Sequence, residues 1–415
     1  MESLNLAERV DEYFPLPSSN RGYKPSEFIK TLILMQHEGG FHLDDVLHIQ
    51  DDEALRTVLD IHRLPKATTL GDWLRRMGGR SETQAAWVKV NQALLQSALH
   101  HCNSITLDID ATEIVANKAD AQWTYNKNKG FMPMVGHIAE TGQVVVVDFR
   151  KGNVSPAQGN LAFIKQCQES LPADCSVNAL RIDAAGYQTK IIEYCDEQNI
   201  DYAIRAKRSA LMRAQIDAAR DSDWRPLLDK KGNEIHDQQT YRTSFCIGDY
   251  ENAFTLIIQR TLIKGQTSLN LDSQDSSDEV NLDGYLYRAI ATNRDRLSDS
   301  QIIHWYNQRA EDSENRIKEL KHDFGGDTPP CSNVDANALY FLISALSYNL
   351  FALMRQLLPE NLAQHRAITI RWRVYAMAGK VVRTGRGLYV KLKEKHKALL
   401  EQVLQALKGL EPPPI

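Results

Sequence analysis

The spacing of hydrophobic residues changes its period partway along the chain, and that change predicts its elements. From residue 1 to about 100, apolar residues recur every three to four positions, the repeat of helices with one buried face. Pro25 suits the first turn of a helix running through FIKTLILMQHEGG, which stops at the pair Gly39–Gly40. LDDVLHIQ and DEALRTVLD continue the helical pattern. RLPKATTLGDWLRRMGG predicts a short helix capped by Thr68 or Thr69, with Leu70, Trp73 and Leu74 inward and Arg75 and Arg76 outward. This is the pattern of a small helix-turn-helix, and a helical packing or dimerisation domain accounts for it equally well.

From residue 104 the period becomes two. SITLDIDATEIVA alternates as a strand, and FMPMVGHIAE and QVVVVDFR form a hairpin about the turn Thr141–Gly142. AQGNLAFIKQCQESL is helical, VNALRIDAAG is a strand ending at Asp183, YQTKIIEYCDEQ is a helix and DYAIRAKRS a strand. Three antiparallel strands, then helix, strand, helix and strand, with acids at strand ends, predict an α+β ribonuclease-H-like mixed-sheet core. Residues 207–284 interrupt it as a β-rich insertion, with strands in YRTSFCIG and AFTLIIQRTLI and an acidic stretch at 270–283. GYLYRAIATN resumes as a strand. Ser298, with Gln301 completing a capping box, opens a long helix through SDSQIIHWYNQRAEDSENRIKELKHDFGG, and an apolar helix over 335–357 packs behind it. The expected organisation is an all-helical DNA-binding domain at 1–100, a core built from 101–206 and 285–360 around that insertion, and a basic helical region at 361–415.

A net charge of −4 and a pI near 6.3 argue mildly against a nucleic-acid partner until the distribution is read. The segment from Arg366 to Lys397 holds ten Lys and Arg residues against the single Glu394. Arg371, Arg373, Arg383 and Arg386 are expected on one basic surface that binds DNA backbone. The six cysteines are scattered, with no CxxC, which excludes a zinc knuckle or redox pair and fits a reduced, cytosolic protein. The most apolar stretch, Ala338–Met354, carries Asn349 and two serines and is short for a membrane span, so it reads as a core helix.

The chemistry resides in carboxylates. Thr106, Asp108 and Asp110 share one face of their strand, and two acids on one face of an apolar strand are costly unless they bind something. Asp183 is followed by Ala184, Ala185 and Gly186, small enough to leave room for an ion and a DNA backbone. Oxygen ligands of this kind suit Mg²⁺ or Mn²⁺. Capping of a turn is the competing explanation for each Asp. On the helix after the insertion, Glu314 and Lys321 lie about 20° apart after two turns.

Here the chain resembles the DDE transposases of bacterial insertion sequences, whose helix signature is Y-x2-R-x3-E-x6-K. The text is Tyr306-NQ-Arg309-AEDS-Glu314-NRIKEL-Lys321. RLPKATTLGDWL, LDIDATEIV, RKGNVSPAQGN, LRIDAAGY and ANALYFLISALSYNL resemble the insertion-sequence family thirteen-eighty, so the likeness spans nearly the whole chain. The resemblance implies that Asp110, Asp183 and Glu314 are the catalytic metal ligands, holding Mg²⁺ (or Mn²⁺) as two ions, and that Tyr306, Arg309 and Lys321 touch DNA phosphates. It implies binding of the element's inverted-repeat ends, cleavage and strand transfer into target double-stranded DNA by a homodimer, in the bacterial cytoplasm at the nucleoid, with no membrane. A nuclease that cuts without joining and a non-catalytic DNA-binding descendant are the alternatives. A carboxylate-pair glycosidase fits the basic tail poorly.

One spacing departs from the signature: four residues separate Arg309 from Glu314. A straight helix then swings the two about 140° apart. The apolar positions Ile302, Ile303, Trp305, Ile317 and Leu320 also drift around the helix, so a π-bulge in the AEDS stretch is expected to restore both the core face and the signature's geometry. Asp108 competes with Asp110, and Glu311 and Glu319 compete with Glu314, as ligands.

Overall fold

The computed structural model describes residues 1–415 apart from Asn20, His101, Asp249, Glu251, 264–279, Asp283, Arg386 and 410–415, with backbone alone at Val280, Asn281, Glu311, Asp312 and Lys395. Apart from short 3₁₀ turns, the elements before residue 104 are α1 (Leu6–Tyr13), α2 (Pro25–Glu38), α3 (Val46–Asp51), α4 (Glu53–Val58), α5 (Ala67–Met77) and α6 (Ser81–Ala98). Pro25 opens α2, and Gly39 closes it at φ 94°, a left-handed conformation that costs glycine little. α5 starts ahead of the expected threonine cap, with Lys66 at its N-cap; Leu70, Trp73 and Leu74 are buried and Arg75 and Arg76 exposed. These helices have no core of their own. Trp73, Leu74 and Trp87 join one apolar cluster with Leu339, Phe341 and Leu346 of the late helix Val334–Gln356. The approach is close enough that a Cβ on Gly78 would lie 2.5 Å from the backbone of Asp335.

The alternating segment forms β1 (Ser104–Ala111). A three-stranded side sheet follows it, with β2 (Ile114–Val115), β3 (Gln122–Trp123) and β4 (Lys129–Phe131), and then come β5 (Met134–Ile138) and β6 (Val144–Asp148). α7 (Asn160–Glu169), β7 (Ser176–Ile182), α8 (Thr189–Glu197) and β8 (Asp201–Arg205) complete the alternating half. β1, β7 and β8 are parallel, whereas β5 and β6 are antiparallel additions at one side. A mixed α+β architecture with one large mixed sheet is the arrangement expected of a ribonuclease-H-like core.

The insertion carries α9 (Ala210–Ala218), β9 (Arg225–Leu228), β10 (Glu234–Phe245), β11 (Phe254–Leu262) and β12 (Val280–Leu282), and β13 (Tyr285–Thr292) follows. Its strands continue the main sheet, in the order β6-β5-β1-β7-β8-β13-β11-β10-β9 with β12 beside β13. The physical reason is shared cover: Ala203 of β8, Ile290 of β13 and Ile257 of β11 bury against Ile302, Ile303 and Tyr306 of one helix, α10 (Asp299–Asp323). Most of the acidic stretch at 270–283 lies outside the described residues.

α11 (Val334–Gln356) is the expected core helix, and its polar residues are used. Asn349 accepts from Val144 N (2.7 Å) and donates to Asn91 Oδ1 (2.7 Å), fastening edge strand β6 to α6 and α11. Ser344 and Ser347 pair with the buried Gln36 of α2. The C-terminal region departs from its expected all-helical form. After α12 (Glu360–Ala363), α13 (Ala367–Ile370) and a π turn at Arg371–Tyr375 come the hairpin strands β14 (Gly379–Thr384) and β15 (Gly387–Leu392), then α14 (Lys397–Lys408). Glycines at 379, 385 and 387 frame a segment with the strand formers Val381, Val382, Thr384, Tyr389 and Val390, which suits a ribbon better than a helix. Arg371 does not lie on a basic surface. Its guanidinium donates to the carbonyls of Gln36 and His37 (2.8 Å each) and of Asp323, over the Phe324 ring. Arg373 and Arg383 are exposed, and Arg386 is outside the described residues.

Asp108 is fully buried and clamped by Arg181, whose Nε and Nη2 reach its two oxygens at 2.7 Å each, while Nη1 donates to Trp305 O at 2.6 Å. Removing one partner of such a pair strands a buried charge. Arg181→Met is expected to lower unfolding free energy by about 3–5 kcal/mol in urea titrations, and adding Asp108→Leu should recover much of the loss. Equal stability of Arg181→Met and wild type would show that the pair is not the fastener described.

Candidate active site

The pleat of β1 sorts its side chains: Leu107 and Ile109 enter one apolar cluster, and Thr106, Asp108 and Asp110 face α10. Asp108 is consumed by Arg181, so it is not available as an alternative ligand. Two residues on, Asp110 sits near the strand end and is partly exposed. β7 runs parallel with Ile182 opposite Ile109, so Asp110 and Asp183 are the next residues of adjacent chains. Asp183 also caps the turn Ala184–Gly186 by accepting from Ala185 N (2.9 Å), so capping and a place beside Asp110 are both true of it.

The Asp110 carboxyl is pushed up from its ordinary 3.8 to about 6. Burial is the main cause, and the charge of Asp183 adds to it, against the opposing pull of Arg309. Arg309 Nη2 lies 3.2 Å from Asp110 Oδ1 and donates to Ile109 O at 2.8 Å. Arg309 is thus buried and holds the end of β1 instead of presenting itself to phosphate. Tyr306 is also buried, in the cluster under α10 with Arg205 over its ring (5.2 Å), and does not offer the DNA contact expected of it. Lys321 Nζ donates to Thr112 Oγ1 (3.1 Å) and Glu113 O (2.6 Å), pinning the segment just beyond Asp110; burial lowers its pKa.

α10 is regular α-helix from Asp299 to Asp323, so the expected π-bulge is absent. The apolar argument for it failed at Trp305, which only borders the core cluster: it is half-buried under the guanidiniums of Arg181 (5.4 Å) and Arg294 (4.1 Å). Without Trp305, the inward stripe Ile302, Tyr306, Arg309, Ser313, Ile317 and Leu320 needs no correction. Ser313 therefore takes the inward place beside Arg309, and Glu314 is exposed. Glu314 lies about 20° around the helix from Lys321. Lys321 reaches the residues following Asp110, whereas Glu314, two turns earlier, lies about 140° around the helix from Arg309, which holds the end of β1. The convergence expected of the three carboxylates is not seen: among the described residues, no three His, Cys, Asp or Glu side chains are grouped to hold a metal ion. Asp110 and Asp183 meet, and Glu314 stands apart from them. Glu319 is excluded as its substitute, because it is buried against Arg355 (3.1 Å) and Ala367 N (2.7 Å). The Glu311 side chain lies outside the described residues.

Two partly buried carboxyls side by side, with the charge of Asp183 raising the cost of ionising Asp110 and oxygens only to offer, fit a hard divalent cation. The residue missed in the sequence is Arg181. It precedes Asp183 by two as Asp108 precedes Asp110, so the parallel register was the signal that could have found it.

Because the folded pKa of Asp110 lies above its ordinary value, its ionised form is disfavoured by the fold. Stability from this group is lost as pH rises from about 4 to about 6 and stays lost above. Without metal, Asp110→Asn is expected to be more stable than wild type at pH 8, on the order of 1–2 kcal/mol after solvent screening, with the advantage vanishing below about pH 4. Denaturation at the two pH values measures this, and a pH-independent difference would contradict it.

The family described as transposase DDE domain group 1 matches residues 1–412. No curated protein matches. Among solved structures, a piggyBac transposase synaptic complex with hairpin DNA is similar over 100% of this chain and 82% of that one, at 10% identity and a TM-score of 0.47. With its family matched along virtually its full length, the chain belongs to the DDE transposases, enzymes that generally use divalent metal ions.

Proposed function

We propose that the protein is the transposase of an insertion sequence resembling family thirteen-eighty, which binds the element's terminal inverted repeats and catalyses metal-dependent DNA cleavage and strand transfer. The observation that carries this reading is the pairing of Asp110 with Asp183 at adjacent parallel strand ends. In this reading Asp110, Asp183 and Glu314 hold Mg²⁺ or Mn²⁺, as two ions. The bound cations supply charge neutralisation and polarise the phosphodiester. Arg309 holds Asp110 in position through its ion pair and its bond to Ile109 O, and Lys321 fixes Thr112 and Glu113 just beyond it. DNA binding shifts toward exposed basic residues: Arg75 and Arg76 on α5, and Arg373 and Arg383 near the C-terminal ribbon. Two element ends must be held together for strand transfer, so a homodimer on DNA is part of the reading.

The test uses a duplex containing the DNA end that flanks the gene. Asp110→Asn, Asp183→Asn and Glu314→Gln are each expected to reduce Mg²⁺-dependent cleavage by on the order of 10³-fold or more while retaining DNA binding. Glu319→Gln should affect stability and spare the metal dependence. Full cleavage by Glu314→Gln would remove the third ligand, and cleavage without joined product in wild type would leave a nuclease. Arg373→Ala with Arg383→Ala should weaken binding to all sequences and shallow its salt dependence; an unchanged slope would remove the ribbon from the DNA surface.

A further inference from the structure

The segment RKGNVSPAQGN, residues 150–160, is tied at both sides to the strand ends that carry Asp110 and Asp183. On the Asp110 side, the buried Arg150 donates through Nε to Met132 O (3.0 Å) and through Nη1 to Gln158 O (3.0 Å). Met132 precedes Pro133, whose carbonyl accepts from Thr112 N (2.9 Å), two residues beyond Asp110. On the Asp183 side, Gln188 Nε2 donates to Ala157 O (2.8 Å) and to Ala185 O (2.7 Å). Ala157 and Gln158 are consecutive, so neighbouring carbonyls of one loop are held from the two strand ends.

Ala185 is fixed on both of its sides. Its N–H donates to Asp183 Oδ1 (2.9 Å), and its carbonyl accepts from Gln188. Asp183 O accepts from Gly186 N (3.0 Å), and a Cβ on Gly186 would lie 2.3 Å from Ile182 Cγ2, so this turn lies hard against the strand that it ends. The Asp183 carboxylate takes its direction from that turn, and the turn's outer anchor is the Gln188 side chain. Gln188 is the N-cap residue of α8, yet its side chain makes no capping bond. Its nitrogen supplies two hydrogens for two carbonyls. The flipped carboxamide would set oxygen against both of them, so the orientation is determined. The amide therefore serves the loop and the turn, not the start of the helix.

Two carboxylates side by side repel one another, and a cation needs them at a fixed spacing. Something outside the pair must supply that spacing. We propose that Gln188 is a positioning residue for the metal site: by joining the 150–160 loop to the turn after Asp183, it fixes the Asp183 carboxylate relative to Asp110. The proposal rests on the metal-binding reading above and adds to it a residue beyond the three carboxylates. Groups that orient ligands in this way change metal affinity by roughly 10- to 100-fold when removed.

The experiment titrates the full chain with Mn²⁺ and follows the free ion by electron paramagnetic resonance. Asp183→Asn identifies the site, since the bound signal is expected to be lost in that variant. Gln188→Met, similar in length and without donors, should raise the Mn²⁺ dissociation constant by roughly 10- to 100-fold. On the duplex containing the flanking DNA end, the half-saturating Mg²⁺ for cleavage should rise with it, while the rate at saturating Mg²⁺ recovers toward wild type and DNA affinity is unchanged. Gln92→Met is the control for a merely structural role. It removes a bond of the same kind, from Gln92 Nε2 to Leu171 O (2.7 Å), and should lower the urea midpoint without altering Mn²⁺ affinity. If Gln188→Met does not fold, Gln188→Asn, whose amide is one methylene too short to span both carbonyls, takes its place with the same expectation. Unchanged Mn²⁺ affinity in the Gln188 variant, or an equal loss in Gln92→Met, overturns the proposal and leaves the metal reading standing. A wild-type chain that binds no Mn²⁺, or whose binding survives Asp183→Asn, brings down the ligand assignment and this proposal together.

Discussion

The buried pair of Asp108 and Arg181 is the constraint on which the site depends. A carboxylate with no exposure, on a strand otherwise packed with Leu107 and Ile109, would be prohibitive alone. Arg181 supplies two parallel bonds and spends its remaining nitrogen on the carbonyl of Trp305, so three elements meet in one group: β1, β7 and α10. Burial still holds the Asp108 carboxyl above its ordinary pKa, against the pull of Arg181. His137, opposite Asp108 on β5, is kept well below its ordinary pKa by burial and the surrounding guanidiniums, and as a neutral ring adds no further positive charge. With strands and helix locked there, the residues two positions further along each strand are brought together at its end. Those residues are Asp110 and Asp183.

α10 then does two jobs on two sides. Its inward stripe buries Ile302, Tyr306, Ile317 and Leu320, and within that stripe Arg309 is committed to Asp110 and the Ile109 carbonyl. Another side carries Lys321, which reaches Thr112 and Glu113, and the exposed Glu314. A carboxylate there stays solvated, whereas one at position 313 would be buried in the inward stripe with Arg309. The extra residue between Arg309 and Glu314 is thus absorbed by assigning the two side chains to different sides of an unbroken helix.

The same economy explains why parts expected to be separate are continuous. The N-terminal helices share the cluster of α11, and the insertion strands share both the sheet and the cover of α10. Each gains burial that a small independent unit would lack. The polar residues of α11 pair with Asn91 and Gln36 from the first hundred residues, so that helix could not be exchanged for a uniformly apolar one without stranding buried partners.

The sequence by itself determined the elements and two of the candidate ligands. Period and caps are local properties, so β1, β7, α2, the capping box at Ser298 and the burial of Val334–Gln356 were legible, and so was the position of Asp110 and Asp183 at strand ends. Tertiary structure decided what each charged side chain does, because a charge is assigned by whatever lies across from it. Arg371 stood in a basic run yet is spent on carbonyls from α2 and on Asp323, and Arg309 and Tyr306 stood in a DNA-contact signature yet are buried. Trp305 looked like core and is held at the rim by two arginines from distant segments, an arrangement no periodicity encodes. The C-terminal ribbon was hidden for a related reason: its residues are nearly all exposed, so no buried face imposed an alternation strong enough to read.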